Sequence, residues 1–207
     1  MSIVALPEIR KARREDSGAI AELHCRRILT GLLTAMGQPF AEAFYETVID
    51  SPIGFVYVAT DEDKMLGFAS GLVDGQQFYQ DSLDHTLRKV ADASFSSLIR
   101  RQQQPMIDSE TDGDSLEIPR AEVVSMALEP GSPGERVGLP LVQYLLAEFA
   151  ARGVKTVRVT AEASDDGASR LYEQAGFHRI AKVRIHPAET TIVYKIILDA
   201  SAYVQPH

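Results

Sequence analysis

At 207 residues, with 45% apolar and 24% charged positions, the chain has the size and composition of one globular domain rather than of a disordered, fibrous or membrane-embedded protein. Its 29 acidic against 21 basic residues leave a net charge of −8, which argues against general affinity for nucleic acid phosphates and favours neutral or cationic partners. A single cysteine, Cys25, excludes an internal disulfide, and with no Cys/His cluster at metal-ligand spacing it excludes a zinc module, so the expected setting is a reducing cytoplasm.

The opening segment MSIVALPEIRKARRED has too few apolar residues before Pro7 and its charged run for a signal-peptide core, and no window reaches the roughly 18 apolar residues of a membrane helix. Glu8 to Arg13 predicts a short first strand. Asp16 or Ser17 then caps a helix running to about Leu33, with Ile20, Leu23, Arg27 and Ile28 at roughly helical spacing and Gly31 and Gly37 as interruptions. Pro39 opens a second helix through Ile49, with Phe40, Phe44, Tyr45 and Val48 on one face. FVYVAT (55–60) and MLGFASGLV (65–73) read as a hairpin closed by the charged turn DEDK.

Between Gln77 and Ile118 a helix from about Ser82 to Arg101 is expected, followed by the polar, aperiodic QQQPMIDSETDGDS, and residues 78–119 read as an insertion in a single domain spanning 1–207. From Ala121 the pattern is dense again: strand AEVVSMAL, loop EPGSPGERVG, helix to about Arg152, strand VKTVRVTA, helix from about Asp166, strand His178 to Ile185, and strand TIVYKIIL. The fold class is therefore α/β with a mixed sheet, in the order β-α-α-β-β, helical insertion, β-α-β-α-β-β.

Two segments carry chemistry. Ser125 to Gly138 is a strand ending in a Gly- and Pro-rich loop that feeds an apolar helix, the arrangement in which helix N-terminal N–H groups bind pyrophosphate oxygens, or else an ordinary connection with turn glycines. Asp165 to Phe177 sets Ala168, Leu171, Tyr172 and Ala175 on one stripe of a helix ended by Gly176, so that Tyr172 is either a core residue or a phenol presented to a site.

Together, the strand, the loop ending in Val-Gly before an apolar helix, the second strand and A-x-x-LYEQAGF resemble the GNAT superfamily of acetyl-CoA-dependent N-acetyltransferases, over about Ala121 to Leu198. The β-α-α-β-β order ahead of it is similar to the family's amino-terminal half. The resemblance implies a sheet splayed between its fourth and fifth strands to admit pantetheine, acetyl-CoA (coenzyme A) as cofactor, and transfer of acetyl to a primary amine, of a small molecule or a peptide, by direct attack in a ternary complex. Neither nucleic acid nor a membrane is an expected partner, and a homodimer is the family-level expectation.

By the same resemblance the pyrophosphate loop falls on residues 133–138, which makes Gly134, Arg136, Val137 and Gly138 candidate cofactor contacts. Pro133 stands where the family has Gln or Arg and removes a donor, while Arg136 replaces the first Gly of the pattern and brings a cation to the phosphate. The main-chain groups of Met126, Ala127 and Leu128 match the strand that pairs with the pantetheine arm, and Asp165 and Ala168 fall on the family's Asn-x-x-Ala with a carboxyl in place of the amide. Tyr172 matches the Tyr that protonates the departing thiolate in many members. Glu122, expected on the same face as Val124 and Met126, resembles the strand-borne general base of the histone-acetylating branch, the alternative being an exposed carboxylate at a strand edge.

Adjacent on a helix, His24 and Cys25 point about 100 degrees apart and do not form a nucleophile and base pair. His178 reads as an exposed strand residue, His85 and His186 have no nameable partner, and Arg26, Arg27, Phe40, Phe44 and Tyr45 lie in the helical pair that walls the acceptor pocket in the family. The two loop departures keep alive a non-catalytic coenzyme A or acyl-CoA sensing module on the same fold, and an enzyme using a different acyl group is the third reading.

Overall fold

Strand β2 (Gly54–Asp61) buries every residue but its last, with Phe55, Tyr57 and Ala59 on one face and Val56 and Val58 on the other, as a strand covered on both sides must. It pairs antiparallel with β1 (Glu8–Lys11) and with β3 (Lys64–Leu72), forming the expected hairpin. This is a computed structural model, describing residues 7–62, 64–85, 118–132, 134–186 and 189–199. With β4 (Ala121–Leu128), β5 (Thr156–Glu162), β6 (His178–His186) and β7 (Glu189–Ile197), one seven-stranded sheet runs β1-β2-β3-β4-β5-β7-β6. Every neighbouring pair is antiparallel except β4 with β5.

One face carries α1 (Ser17–Arg27), α3 (Gln38–Asp50) and α4 (Gly75–His85), through a core that includes Ile20, Leu23, Phe44, Tyr45, Val48 and Phe78. The other carries α5 (Leu139–Ala151), with Leu141, Val142, Leu145, Leu146 and Phe149 all essentially inaccessible, and the stripe of α6 (Asp166–Gln174) joins the same core. Each such side chain is worth about 1.5 to 3 kcal/mol of transfer free energy, which fixes the register of α5 on the sheet. Among the described residues no helix is long and apolar enough to cross a membrane.

Three elements differ from expectation. The first helix stops at Arg27 rather than near Leu33, because Ile28 is extended and Gly31, at φ +100, takes a conformation no helix accommodates; residues Leu32–Met36 form a separate short α2 that ends at Gly37, also at positive φ. Next, α4 starts at Gly75 instead of about Ser82, with Asp74 Oδ1 accepting from the Gln77 N–H at 2.9 Å as a cap. The expected continuation to Arg101, the polar tract after it and Pro133 lie outside the described residues.

The third difference is inside β4. Its pairing with β3 slips between Ser70 and Gly71, so that Ser125 opposes Ser70 but Val123 opposes Gly71 and Val124 is an extra residue, a β-bulge. Because strand side chains alternate with period two, one inserted residue reverses every later orientation. Met126 and Leu128 consequently pack on the α5 side, while Glu122, Val124 and Ala127 lie on the face that carries α1, α3 and α4; the expectation that Met126 shares a face with Glu122 is corrected.

Candidate active site

The parallel ladder between β4 and β5 consists of Ala121 opposite Val157 and Glu122 opposite Arg158, and then it ends. From there β5 stays with β7 as far as Glu162, and a wedge opens at the carboxyl ends of the two parallel strands, the splay that the family resemblance implies and the usual location of ligands in such sheets. The Glu129 N–H donates to Leu66 O at 2.8 Å across the β3 edge. Antiparallel alternation then turns the main-chain groups of Ala127 toward β3 and those of Met126 and Leu128 toward the wedge. Two of the three expected pantetheine contacts thus present N–H and C=O groups that no described strand pairs with, and Ala127 is engaged by its neighbour.

The helix on the wedge's α5 side begins early: a π turn over Gly134–Gly138 leads without a break into α5. The first N–H groups of a helix have no carbonyl partner within it and carry the positive end of its dipole. Val137 is buried and anchors the turn, and Arg136 is exposed and forms no ion pair with any described residue. Gly138 is buried where three elements meet; a Cβ on it would lie 3.3 Å from Leu128 Cδ1 and 3.4 Å from both Leu171 Cδ2 and Met126 Cε.

Asp165 caps α6, its Oδ1 accepting from the Ala168 N–H at 2.9 Å, so the carboxylate found where the family has Asn keeps the helix-starting role that either residue can fill. Ala168 sits half-buried on the α5-side core. Tyr172 is buried against Phe177 and Tyr194, at ring-centroid distances of 5.8 and 6.1 Å. Tyr194 spends its own hydroxyl on Ser169 Oγ at 2.9 Å, whereas the Tyr172 hydroxyl bonds to no described residue. Burial, reinforced by the charge of Asp165, pushes the Tyr172 phenol above its ordinary value, so it carries its proton throughout the neutral range.

Glu122 lies on the opposite face, at the closed end of the wedge. Arg158 Nε donates to its Oε2 at 3.0 Å and Nη2 donates to the same oxygen, while Oε1 is buried without a hydrogen-bond partner among the described residues. A Cβ on Gly75 would collide with that oxygen, so glycine lets α4 cover the carboxylate without displacing it. Burial raises the Glu122 carboxyl and Arg158 pulls it back, with a net upward shift. Four residues of strand at about 3.3 Å each separate it from Met126, so it reaches the middle of the wedge only through ordered water.

On this same face the structure brings together residues that sequence reasoning did not connect. His24 Nδ1 is 2.6 Å from Tyr45 Oη, which is 2.7 Å from Ser125 Oγ, which in turn is 3.0 Å from Ser70 Oγ. Their only advance signal is a lone Ser in the middle of each of two apolar strands, FASGLV and VVSMAL. Burial lowers His24 to about 4, so it is neutral, and raises the Cys25 thiol, which makes no pair with it. At the open end Arg26 binds Glu129 through two bonds of 3.1 and 2.9 Å, and Thr30 Oγ1 donates to Glu162 Oε1 at 2.6 Å, so the carboxyl end of α1 reaches both arms of the wedge. Phe40 and Phe44 belong to the core, and Arg27 and His178 are exposed; the side chains of His85 and His186 lie outside what is described.

The sequence pattern of the Acetyltransferase (GNAT) family matches residues 25–177. No curated protein matches the chain in sequence. Among solved structures, the ribosomal-protein-S18-alanine N-acetyltransferase of Escherichia coli superposes with a TM-score of 0.60 at 17% identity, covering 93% of this chain and 94% of that one. An N-acetyltransferase from Staphylococcus aureus Mu50 gives 0.63 at 16%, covering 94% and 100%. A spermidine N-acetyltransferase mutant from Vibrio cholerae gives 0.57 at 14%, covering 96% of each. At these identities the likeness concerns the fold.

Proposed function

The chain belongs to the GNAT family of acetyltransferases, whose acyl donor is acetyl-CoA, and from that premise we propose that it transfers acetyl to a primary amine by direct attack in a ternary complex. The observation that carries the reading is the unpaired edge of β4 at Met126 and Leu128, facing a β5 that has parted from it. An extended amide arm suits that edge as an added strand, and the helix start at Gly134–Gly138, with the exposed Arg136 beside it, suits a pyrophosphate. The small Gly138 leaves room where a larger residue would crowd Leu128 and Met126.

When bound, acetyl-CoA supplies a thioester activated toward amines. The Met126 N–H would hold its carbonyl oxygen, and donors aimed at an oxygen that gains negative charge are worth roughly 10² to 10³ in rate. Tyr172 holds its proton and gives it to the sulfur as the carbon–sulfur bond breaks. Glu122, through a chain of ordered waters leading to its Oε1, accepts the proton that the amine nitrogen must lose, and its raised affinity for protons suits that task. Arg158 orients the carboxylate. The rest of the rate comes from alignment of amine and carbonyl in one cleft.

The open end of the wedge supports a cationic acceptor. Arg26 neutralises Glu129, but Glu162 has only the Thr30 hydroxyl as a partner among the described residues and keeps its charge for a substrate ammonium. Two of the similar structures are of proteins named for amine acceptors, spermidine and a ribosomal alanine, in line with a small-molecule or peptide amine. The test is thermal unfolding with saturating acetyl-CoA, followed by an amine panel read by release of free thiol. Ligand at about 100 times its Kd adds roughly 2.7 kcal/mol, a rise on the order of 5 to 10 °C. A rise with no thiol release from any amine would leave a coenzyme A binding module; no rise at millimolar acetyl-CoA would refute the site.

A further inference from the structure

Ser125 is the residue immediately before the Met126 N–H, and it stands at the bulge where β4 changes the face it presents. On the β5 side no ladder pair among the described residues holds this stretch, since the ladder ends at Glu122 opposite Arg158. What does hold it comes from α3 and β3: Tyr45 on α3 reaches Ser125 Oγ at 2.7 Å, and Ser70 on β3 meets Ser125 both at Oγ, 3.0 Å, and at the carbonyl, 3.1 Å. The Tyr45 phenol is itself fixed by His24 on α1. With His24 neutral, the chain has a consistent direction in which Ser125 donates to Tyr45 and Tyr45 donates to His24 Nδ1.

The surroundings are Phe44, Phe68 and Phe78, where an apolar side chain would pack without needing any partner. A buried polar chain is tolerable only when each member is satisfied, and what it then contributes is a unique geometry rather than net stability. Resting on the acetyl-transfer reading above, we propose that Tyr45 is a positioning residue: by bonding Ser125 it holds the β4 bulge so that the Met126 N–H points at the thioester carbonyl. The unused hydroxyl cluster, the bulge and the free amide are three parts of one device. Rate falls steeply when such a donor drifts by a fraction of an ångström.

The experiment uses the full chain and acetyl-CoA labelled with ¹³C at the thioester carbonyl. In the native protein the carbonyl infrared band moves to lower frequency on binding, reporting a polarised bond. Tyr45→Phe keeps the ring packing and loses the hydroxyl; its band returns at least halfway to the free position and kcat falls about 10-fold, with the acetyl-CoA KM and the Kd for coenzyme A within about twofold of native. Ser125→Ala, which leaves Tyr45 bonded to His24, gives the same pattern if Tyr45→Phe does not fold, and Ser125→Thr, which keeps a hydroxyl, restores both band and rate. A native band and native kcat in a folded Tyr45→Phe or Ser125→Ala protein overturn the assignment while leaving acetyl transfer intact. Absence of acetyl-CoA binding by the native protein overturns both.

Discussion

Replacing Gly138 by alanine separates the wedge from the scaffold that carries it. Gly138 lies at φ −67 and ψ −53, a helical conformation that alanine adopts without strain. The added methyl meets Leu128 Cδ1 at 3.3 Å and Leu171 Cδ2 and Met126 Cε at 3.4 Å, all of them ends of flexible side chains. In the free protein these tips can retreat a few tenths of an ångström into the wedge, and alanine's helix preference of about 1 kcal/mol over glycine offsets the residual crowding. Stability should change by less than about 1 kcal/mol, or roughly 3 °C in Tm. With the wedge occupied the tips cannot retreat, and the usual overpacking cost of about 1 to 3 kcal/mol falls on the complex alone, raising the acetyl-CoA Kd roughly 5- to 150-fold. Calorimetric titration and thermal unfolding of Gly138→Ala measure the two quantities. A Kd within twofold of native would refute the placement of the ligand arm beside Gly138, and a Tm drop of 10 °C would refute the claim that the crowding is relievable.

Tyr172→Phe should lower kcat by about 10²-fold with the acetyl-CoA Kd unchanged; unaltered turnover would remove the phenol from the proton path. For Glu122→Gln, kcat/KM should lose the limb that rises with pH through the carboxyl's upward-shifted value, a loss that a pH series on both proteins would reveal. Glu148, buried in α5, ties the helix to the sheet: burial alone would raise its carboxyl, but bonds from Lys11 and Arg152, both 2.9 Å or shorter, and from Tyr57 at 3.1 Å more than offset this and lower it. A depressed carboxyl stabilises above its ordinary value near 4.5 and loses that contribution as pH falls through the depressed one. Glu148→Gln should therefore cost about 2 kcal/mol at pH 7 and flatten the fall of Tm below pH 4.5; equal slopes for both proteins would contradict the assignment.

The carboxyl-terminal elements were legible because their residues carry local codes. Ala168, Leu171 and Tyr172 at helical spacing with Gly176 behind them, and Leu141 to Phe149 after Pro140, each name a helix and the face it buries. Asp165, expected from the resemblance as a cofactor contact, is seen to cap α6 through the Ala168 N–H, a role the Asp at a helix start already signals. The bulge at Val124 was not legible, since AEVVSMAL alternates no more clearly with an extra residue than without one, and that single insertion decides whether Met126 faces α1 or α5. Nor was the chain from His24 through Tyr45 to Ser125, whose members come from three elements up to about a hundred residues apart and meet only once the helices have docked. Asp74 as the cap that starts α4 had a signal, an Asp directly before Gly-Gln-Gln at a strand end, overshadowed by the apolar periodicity further on.

Among the described residues, two pairs between β4 and β5 are the main-chain stitching between β1–β4 and β5–β7. A sheet joined so thinly should unfold as two cooperative units, held in common by the apolar core that includes Val137, Leu141, Val159 and Ala161. The seam has an expected signature in hydrogen exchange: the amides of Met126 and Leu128, turned away from β3, should exchange readily beside slow neighbours such as Ala127. A ligand arm lying in the seam would finish the ladder that the chain leaves incomplete, fusing two foldons into one and making folding cooperativity itself a function of ligand concentration.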